Sequence, residues 1–220
     1  MRTIAIIASG GQGSRMGSDI PKQFIVIKGK PILAYTLLTF NACADIDEII
    51  LTAPSGYEAL TEKIASTFDI YKLSHIINGG GSRQETVYNA LQAAINADII
   101  LIHDAVRPFV TADDISHAMK GAEAYGACSL GVPVKDTIKI CDKNGSVIST
   151  PPRETLWNVQ TPQAFLSPVI KRAHEHARHE CFTATDDAEL AERIGHPTRI
   201  IMGNYANIKI TTKEDLVFFS

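Results

Sequence analysis

Residues 3–8 form an unbroken apolar run in which Ile4, Ile6 and Ile7 leave no polar face. That is the pattern of a strand covered on both sides, as strands of parallel sheets are. Runs of the same kind recur at 48–52, 75–77, 98–103 and 127–132. The segments between them change period. Leu33, Leu37 and Leu38 follow Pro31, a residue suited to a first helical turn, and Leu60, Ile64 and Phe68 recur every four residues across 57–68; both segments are predicted helices. Ser82 predicts the N-cap of a third helix carrying Val87, Leu91 and Ala94, with Glu85 as its reciprocal capping partner. A fourth opens at Thr111 or Asp113 and runs toward Met119. Strand alternating with helix predicts βαβ units on a mostly parallel sheet. Active groups then belong in the loops after Ala8, Thr52, Ile77, His103 and Val132, at the carboxyl ends of the strands.

The alternation stops at Val134. Residues 137–140 and 147–150 flank the turn sequence Asp142-Lys143-Asn144-Gly145 and predict a β-hairpin arm within 134–157. A lone two-stranded ribbon is marginal in water, so it needs a packing partner. A second copy of the chain is the economical one, giving a homodimer through the arm. Beyond it, 167–179 and 186–194 read as helices, 198–202 as a strand, and Thr212 as the cap of a final helix. With no repeat, linker or low-complexity tract, the chain reads as one α/β domain, 1–220, with a projecting arm.

Composition narrows the function classes. Of 220 residues, 45% are apolar and 20% charged, which fits a globular chain and neither a disordered nor a collagen-like one. Lys and Arg number 21 against 24 Asp and Glu, a net charge of −3. That offers no broad field for nucleic acid or an anionic membrane, so an anionic ligand must be met by a local cluster of cations. The first apolar run stops at Gly10, short of a secretory signal and of the ~18 residues that span a bilayer, and the expected address is cytoplasmic. Cys43, Cys128, Cys141 and Cys181 show no C-x-x-C pair; all four read as reduced, structural residues in segments able to bury them.

Three loops carry candidate chemistry. Ser9-Gly10-Gly11-Gln12-Gly13-Ser14-Arg15-Met16-Gly17 follows the first strand, with Pro21-Lys22-Gln23 after it. Its glycines let backbone amides converge on a phosphate, but it is neither a Walker A loop, whose Lys follows its glycines directly, nor a dinucleotide fingerprint, which needs Gly where Met16 sits. Arg15 and Lys22 beside such amides suit a triphosphate whose leaving pyrophosphate must be neutralised. At the end of the fourth strand, Asp104 is placed to hold Mg²⁺ together with substrate phosphates, while His103 points the opposite way and reads as a satisfied core histidine. Gly79-Gly80-Gly81 allows close approach of a flat ligand, with the helix-start amides and the Thr86 hydroxyl near a base edge. His174, His176 and His179 lack a zinc motif and read as a solvated helix face.

Gly11-x-Gly13-x-Arg15-Met16, Pro21-Lys22-Gln23, Gly79-Gly80 with Arg83, His103-Asp104-Ala105-Val106-Arg107-Pro108, Pro133-Val134-Lys135-Asp136-Thr137, Thr161-Pro162-Gln163, Thr185-Asp186-Asp187 and Asn207-Ile208-Lys209 occur in this order. The ensemble resembles the cytidylyltransferases of the 2-C-methyl-D-erythritol 4-phosphate type, from the first strand to the last helix. The resemblance implies a Rossmann-like nucleotidyltransferase fold that joins CTP to a polyol phosphate and releases pyrophosphate, in the non-mevalonate route to isoprenoid precursors. It makes Arg15, Lys22, Arg153 and Lys209 the catalytic cations. Gly10, Gly11 and Gly13 then line the phosphate loop, Gly80, Gly81 and Thr86 lie at the cytosine, and Asp104, Ala105 and Arg107 complete the nucleotide site, with Mg²⁺ on Asp104. Thr137 and Arg153 of the arm reach the polyol phosphate in the partner subunit, joined by Thr161, Thr185 and Lys209.

This agrees with the demands of the reaction. A phosphate nucleophile with a second pKa of ~6 is already ionised at neutral pH and needs no strong base. What it needs is two polyanions held in line under neutralising charge. Two positions depart from the erythritol pattern. Gly10 after Ser9, and Val106 before Arg107, resemble the related ribitol 5-phosphate cytidylyltransferases, whereas Leu156-Trp157-Asn158-Val159-Gln160 and Thr185-Asp186-Asp187 are closer to the erythritol enzymes.

Overall fold

The structure, a computed structural model, describes residues 1–10 and 20–219. In chain order its elements are β1 (Thr3–Ala8), β2 (Val26–Ile27), β3 (Lys30–Pro31), α1 (Ile32–Ala42), β4 (Glu48–Ala53), α2 (Glu58–Thr67), β5 (Leu73–Asn78) and α3 (Arg83–Ala93). There follow β6 (Ile99–Asp104), α4 (Ala112–Tyr125), β7 (Ala127–Pro133), β8 (Ile140–Cys141), β9 (Val147–Ser149), β10 (Trp157–Leu166), α5 (Ser167–His179), α6 (Asp187–Arg193) and β11 (Arg199–Met202). A seven-stranded sheet runs β11-β7-β10-β6-β1-β4-β5. Only β10 is antiparallel to its neighbours.

The central strands β1, β4 and β6 alternate their faces between two helix layers, which is why their sequences are predominantly apolar. Ala5, Ile7, Leu51 and Leu101 pack beneath α1, α2 and α4, while Ile4, Ile6, Ile50 and Ile102 pack beneath α3, α5 and α6. Each such fully buried Ile or Leu contributes ~1.5–3 kcal/mol of transfer free energy. Local signals agree with the sequence. Ser82 accepts the Glu85 amide at 3.0 Å, and Thr111 with Asp114 forms a capping box at the start of α4.

β10 is an element the pattern did not predict. It lies between β6 and β7, and its inner part, from Gln160 to Phe165, is buried although Gln160, Thr161 and Gln163 are polar. The hairpin is shorter than expected, with two-residue β8 and three-residue β9 joined through Asp142, whose carboxylate accepts the Asn144 and Ser146 amides. Glu85 returns its carboxylate to the Gly81 amide at 2.8 Å and not to its cap residue Ser82. The final helix is a 3-10 helix, Glu214–Phe219, and the Thr211 and Thr212 amides are accepted by Asp215. All four cysteines are free, but only Cys43 and Cys128 are buried; Cys141 and Cys181 are exposed.

β1 supplies the topological switch point. The chain leaves it toward β4 and β5 on one side and returns to β6 on the other, so the loops after β1 and β6 part above the sheet. Ala8 and Asp104, the last residues of these strands, are register partners there.

Candidate active site

A cavity of about 610 Å³ opens at that switch point. Four of the five predicted loops reach it: Ser9 and Gly10 after β1, Ser55 after β4, Gly79 to Arg83 after β5, and Ala105 and Val106 after β6. Lys22 also lines it, from a 3-10 turn at Lys22–Phe24 that Gln23 ties to the Ser9 carbonyl at 2.8 Å. Lys22 Nζ donates to the Ile210 carbonyl at 2.9 Å. Gly11, Gly13 and Arg15 lie outside the described residues.

Asp104 is the carboxylate in the wall. Its Oδ1 accepts from Arg83 Nε at 3.1 Å, its Oδ2 pairs with Lys209 Nζ at 2.6 Å, and Arg107 Nε stands 4.0 Å away. Burial alone pushes this carboxyl upward, but Arg83, Lys209 and Arg107 overcome it and hold the group well below the ordinary carboxylate range. Arg107 is buried too, which lowers its pKa, and its Nη1 donates to the Asn207 carbonyl at 2.8 Å. Among the described residues, Lys22, Arg83 and Lys209 thus bring three cations to a cavity with one wall carboxylate, and Arg107 stands beside that carboxylate from outside the cavity.

Behind Asp104 the strand end is pinned by a buried network. The Thr161 hydroxyl accepts the Asp104 amide at 3.1 Å, which leaves its proton for His103 Nδ1 at 3.0 Å. The imidazole then carries its own proton on Nε2, toward the Arg107 carbonyl at 3.3 Å. Burial pushes the His103 pKa down to about 3, so it stays neutral. This is the satisfied core histidine expected from the sequence, and it faces away from the cavity.

A second hollow, of about 220 Å³, lies on the other side of Asp104 and is lined by Arg107, Thr161, Thr185 and Asp186. Arg83, Asp104 and Lys209 line both hollows. Thr137 and Arg153 line neither; they are exposed at the arm, where Arg153 Nη1 donates to the Lys135 carbonyl at 2.9 Å.

The glycine strip is organised by its own helix. The Gly79 amide donates to the Ala53 carbonyl, the Gly80 amide to the Thr86 hydroxyl at 2.9 Å, and the Gly81 amide to Glu85. The Thr86 hydroxyl in turn donates to the Ser82 carbonyl at 2.8 Å. With its amides engaged, the strip's remaining polar groups are carbonyl oxygens. A Cβ on Gly10 would stand 2.9 Å from both Thr86 Cγ2 and Oγ1, so glycine is what lets these two loops cross.

Sequence reasoning missed Arg83 as a site residue, and the pair behind it. Arg83 Nη1 donates to Asp187 Oδ2 at 2.7 Å, and Asp187 Oδ1 accepts from His174 Nε2 at 3.0 Å. His174 is only 1% exposed, which corrects the reading of 174, 176 and 179 as one solvated face: α6 covers the first and leaves the other two in water. The available signal was Asp186-Asp187. One of the pair caps α6 through the Glu189 amide, and that leaves the other to be explained.

Mg²⁺ favours one or two carboxylates with phosphates and water. Asp104, ionised and at the cavity wall, is such a donor; no group of three His, Cys, Asp or Glu that could cage an ion occurs among the described residues. The donor set therefore fits an ion whose other ligands come from a polyphosphate.

The family model described as 2-C-methyl-D-erythritol 4-phosphate cytidylyltransferase matches residues 3–219. Curated proteins bearing that description include one from Alkaliphilus oremlandii, 45% identical over 98% of this chain and 92% of its own length. Another, from Clostridium botulinum, is 46% identical over 97% of this chain and 95% of its own. The crystal structure of a 4-diphosphocytidyl-2C-methyl-D-erythritol synthase from Anaerococcus prevotii superposes with a TM-score of 0.87 at 32% identity, covering 99% of this chain and 94% of that one.

Proposed function

The chain belongs to the 2-C-methyl-D-erythritol 4-phosphate cytidylyltransferase family, and from that premise we propose how its residues carry out the transfer of CMP from CTP to 2-C-methyl-D-erythritol 4-phosphate. The observation that carries the reading is that Arg83, Asp104 and Lys209 line both hollows, one large enough for a nucleoside triphosphate and the other small and rich in hydroxyl and cationic groups. CTP occupies the first and the acceptor phosphate the second. An acceptor phosphate oxygen attacks the α-phosphorus of CTP, the bond from that phosphorus to the β-bridging oxygen breaks, and its electron pair leaves with pyrophosphate. Lys22 and Arg15 neutralise the leaving group; Lys209, Arg83 and Arg107 neutralise the phosphates at the seam. Mg²⁺, if bound, would be held by Asp104 together with substrate phosphates and would supply further charge neutralisation. No histidine or cysteine lines the large cavity among the described residues, in keeping with a nucleophile that is already ionised.

Cytosine selection rests on the glycine strip. Carbonyl oxygens attract the exocyclic amine of cytosine and repel the keto oxygen that uracil presents at the same position. The ribitol 5-phosphate alternative is set aside: the relatives carry the erythritol name, and Gly10, one of the two positions that raised it beside Val106, is accounted for by its packing against Thr86.

The enzyme acts as a homodimer through the arm, in the cytoplasm where CTP is made. Ile140, Val147 and Ile148 leave 50%, 58% and 66% of their surface exposed, and a partner chain that covers them brings Arg153 and Thr137 to the other subunit's acceptor hollow. No helix among the described residues is long and apolar enough to cross a membrane. Steady-state pyrophosphate release tests the reading: CTP with 2-C-methyl-D-erythritol 4-phosphate is the preferred pair, and a preference for ribitol 5-phosphate or for UTP would overturn it.

A further inference from the structure

His174 and Asp187 are each 1% exposed, line neither hollow, and have no place in the chemistry above. Burying a carboxylate and an imidazole together is costly, and a well-packed apolar pair is often as stable. The α5–α6 contact already has an apolar seam of Ala173, Ala177 and Leu190, with Phe182 and Ile194 against it. What the polar pair adds is a fixed point for one guanidinium. Asp187 takes Arg83 Nη1 at 2.7 Å, and His174 fixes the rotation of that carboxylate by donating Nε2–H to its other oxygen at 3.0 Å. His174 Nδ1 has no partner among the described residues, so among them the ring is oriented by Asp187 as its one hydrogen-bonding group. At the opposite edge of the guanidinium, Nε meets Asp104 at 3.1 Å. A planar group held at two edges has its plane set, and Nη2, with no partner among the described residues, is left for ligands at the seam where the two hollows meet.

We propose that Asp187 and His174 are positioning residues that hold Arg83 at the junction of the two substrates, so that its remaining N–H groups meet the phosphoryl group as it transfers. The inference rests on the proposed function, and it places these residues behind the reacting atoms and out of contact with them. Positioning shows in kcat more than in substrate affinity, because Lys22 and the backbone still bind the triphosphate.

The experiment measures kcat and both KM values per folded molecule, with the folded fraction taken from thermal melts, for wild type, Asp187→Asn, His174→Leu and His174→Gln, and for Asp187→Asn in an Arg83→Lys background. Asp187→Asn is expected to lower kcat about 10- to 100-fold with the KM for CTP within about threefold. His174→Leu is expected to lower kcat about tenfold, and His174→Gln, whose amide can still donate to Asp187, to stay within about threefold of wild type. In the Arg83→Lys background the Asp187 change should cost less than about threefold more, since its route to the chemistry is already cut. Equal loss in both backgrounds, equal behaviour of the Leu and Gln variants, or full kcat in folded Asp187→Asn overturns the inference. If Asp187→Asn does not fold, the two His174 variants decide. A wild-type enzyme that releases no pyrophosphate from CTP and 2-C-methyl-D-erythritol 4-phosphate defeats the functional reading instead.

Discussion

The crossing of Gly10 and Thr86 makes a quantitative prediction. In Gly10→Ala the new methyl carbon would sit 2.9 Å from Thr86 Cγ2 and Oγ1 and 3.1 Å from Gly79 Cα, against ordinary carbon contacts of ~3.5–4.0 Å. Two relaxations are open to it. Thr86 can turn away, giving up its bonds to the Gly80 amide and the Ser82 carbonyl, at ~0.5–1.5 kcal/mol each. Alternatively, the backbone at Gly79 can shift, an overpacking strain of ~1–3 kcal/mol. Either route costs about 1–3 kcal/mol, so the melting temperature should fall by about 2–12 °C. Either route also moves the wall against which the base lies, and kcat/KM for CTP should fall about 10- to 100-fold. Thr86→Ser removes Cγ2 but keeps the hydroxyl, so Gly10→Ala combined with Thr86→Ser should be more stable and more active than the two single effects added together. The assay is pyrophosphate release over a CTP series, with urea melts of all four proteins. Additivity within ~0.5 kcal/mol, or a Gly10→Ala enzyme with wild-type kcat/KM, would refute the reasoning.

Other outcomes follow from the same contacts. Thr161→Val leaves the buried Asp104 amide and His103 Nδ1 unpaired and should destabilise by ~1–3 kcal/mol per orphaned group; a urea midpoint unchanged from wild type would contradict the network. His103 titrates at about 3 in the folded state against ~6.5 unfolded, so between these values the unfolded chain binds the extra proton. Stability is therefore fully present above pH ~6.5 and falls as the pH drops, at the steepest by about 1.4 kcal/mol per pH unit. Below ~4, Asp104 and Asp187, also held under their ordinary values, add to the same slope. Urea melts of wild type and His103→Gln check this: the variant should lose the decline between pH 6.5 and 4, and parallel curves would refute it. Ile140→Asp with Ile148→Asp should give a monomer by light scattering with little activity, while an active monomer would remove the arm from the site. Mixed Lys22→Ala and Arg153→Ala proteins, each poorly active alone, should regain activity as heterodimers.

How much of this was legible in the sequence depended on whether a residue's role was local. The buried strands, the Ser82 and Thr111 caps and the loops at the strand ends follow from neighbours within a few positions, and these are where the pattern and the structure agree. β10 failed for identifiable reasons. Pro162 within it argues against a central strand, the register shifts between Val159 and Gln163, and its buried Gln160, Thr161 and Gln163 hide the apolar pattern. Those polar groups are tolerated because distant partners satisfy them: Gln163 Nε2 donates to Asp186 and its Oε1 accepts the Asp187 amide. His174 and Arg83 were obscured in the same way. Their partners lie 13 and 104 positions away: the packing of α5 against α6 brings His174 to Asp187, and Arg83 reaches the same carboxylate from the start of α3. Thr86 was read as a base contact because hydroxyls suit that task, while its engagement by Gly80 and Ser82 depends on the turn geometry.

The most direct test of a cation-lined triphosphate site is turnover in Lys22→Ala at saturating CTP and 2-C-methyl-D-erythritol 4-phosphate. Losing the hydrogen bond to the Ile210 carbonyl should cost only about 1 kcal/mol of stability, so the variant should fold. Losing the charge on the leaving pyrophosphate should cost about 10³-fold or more in kcat. A folded Lys22→Ala enzyme turning over at the wild-type rate would contradict the account.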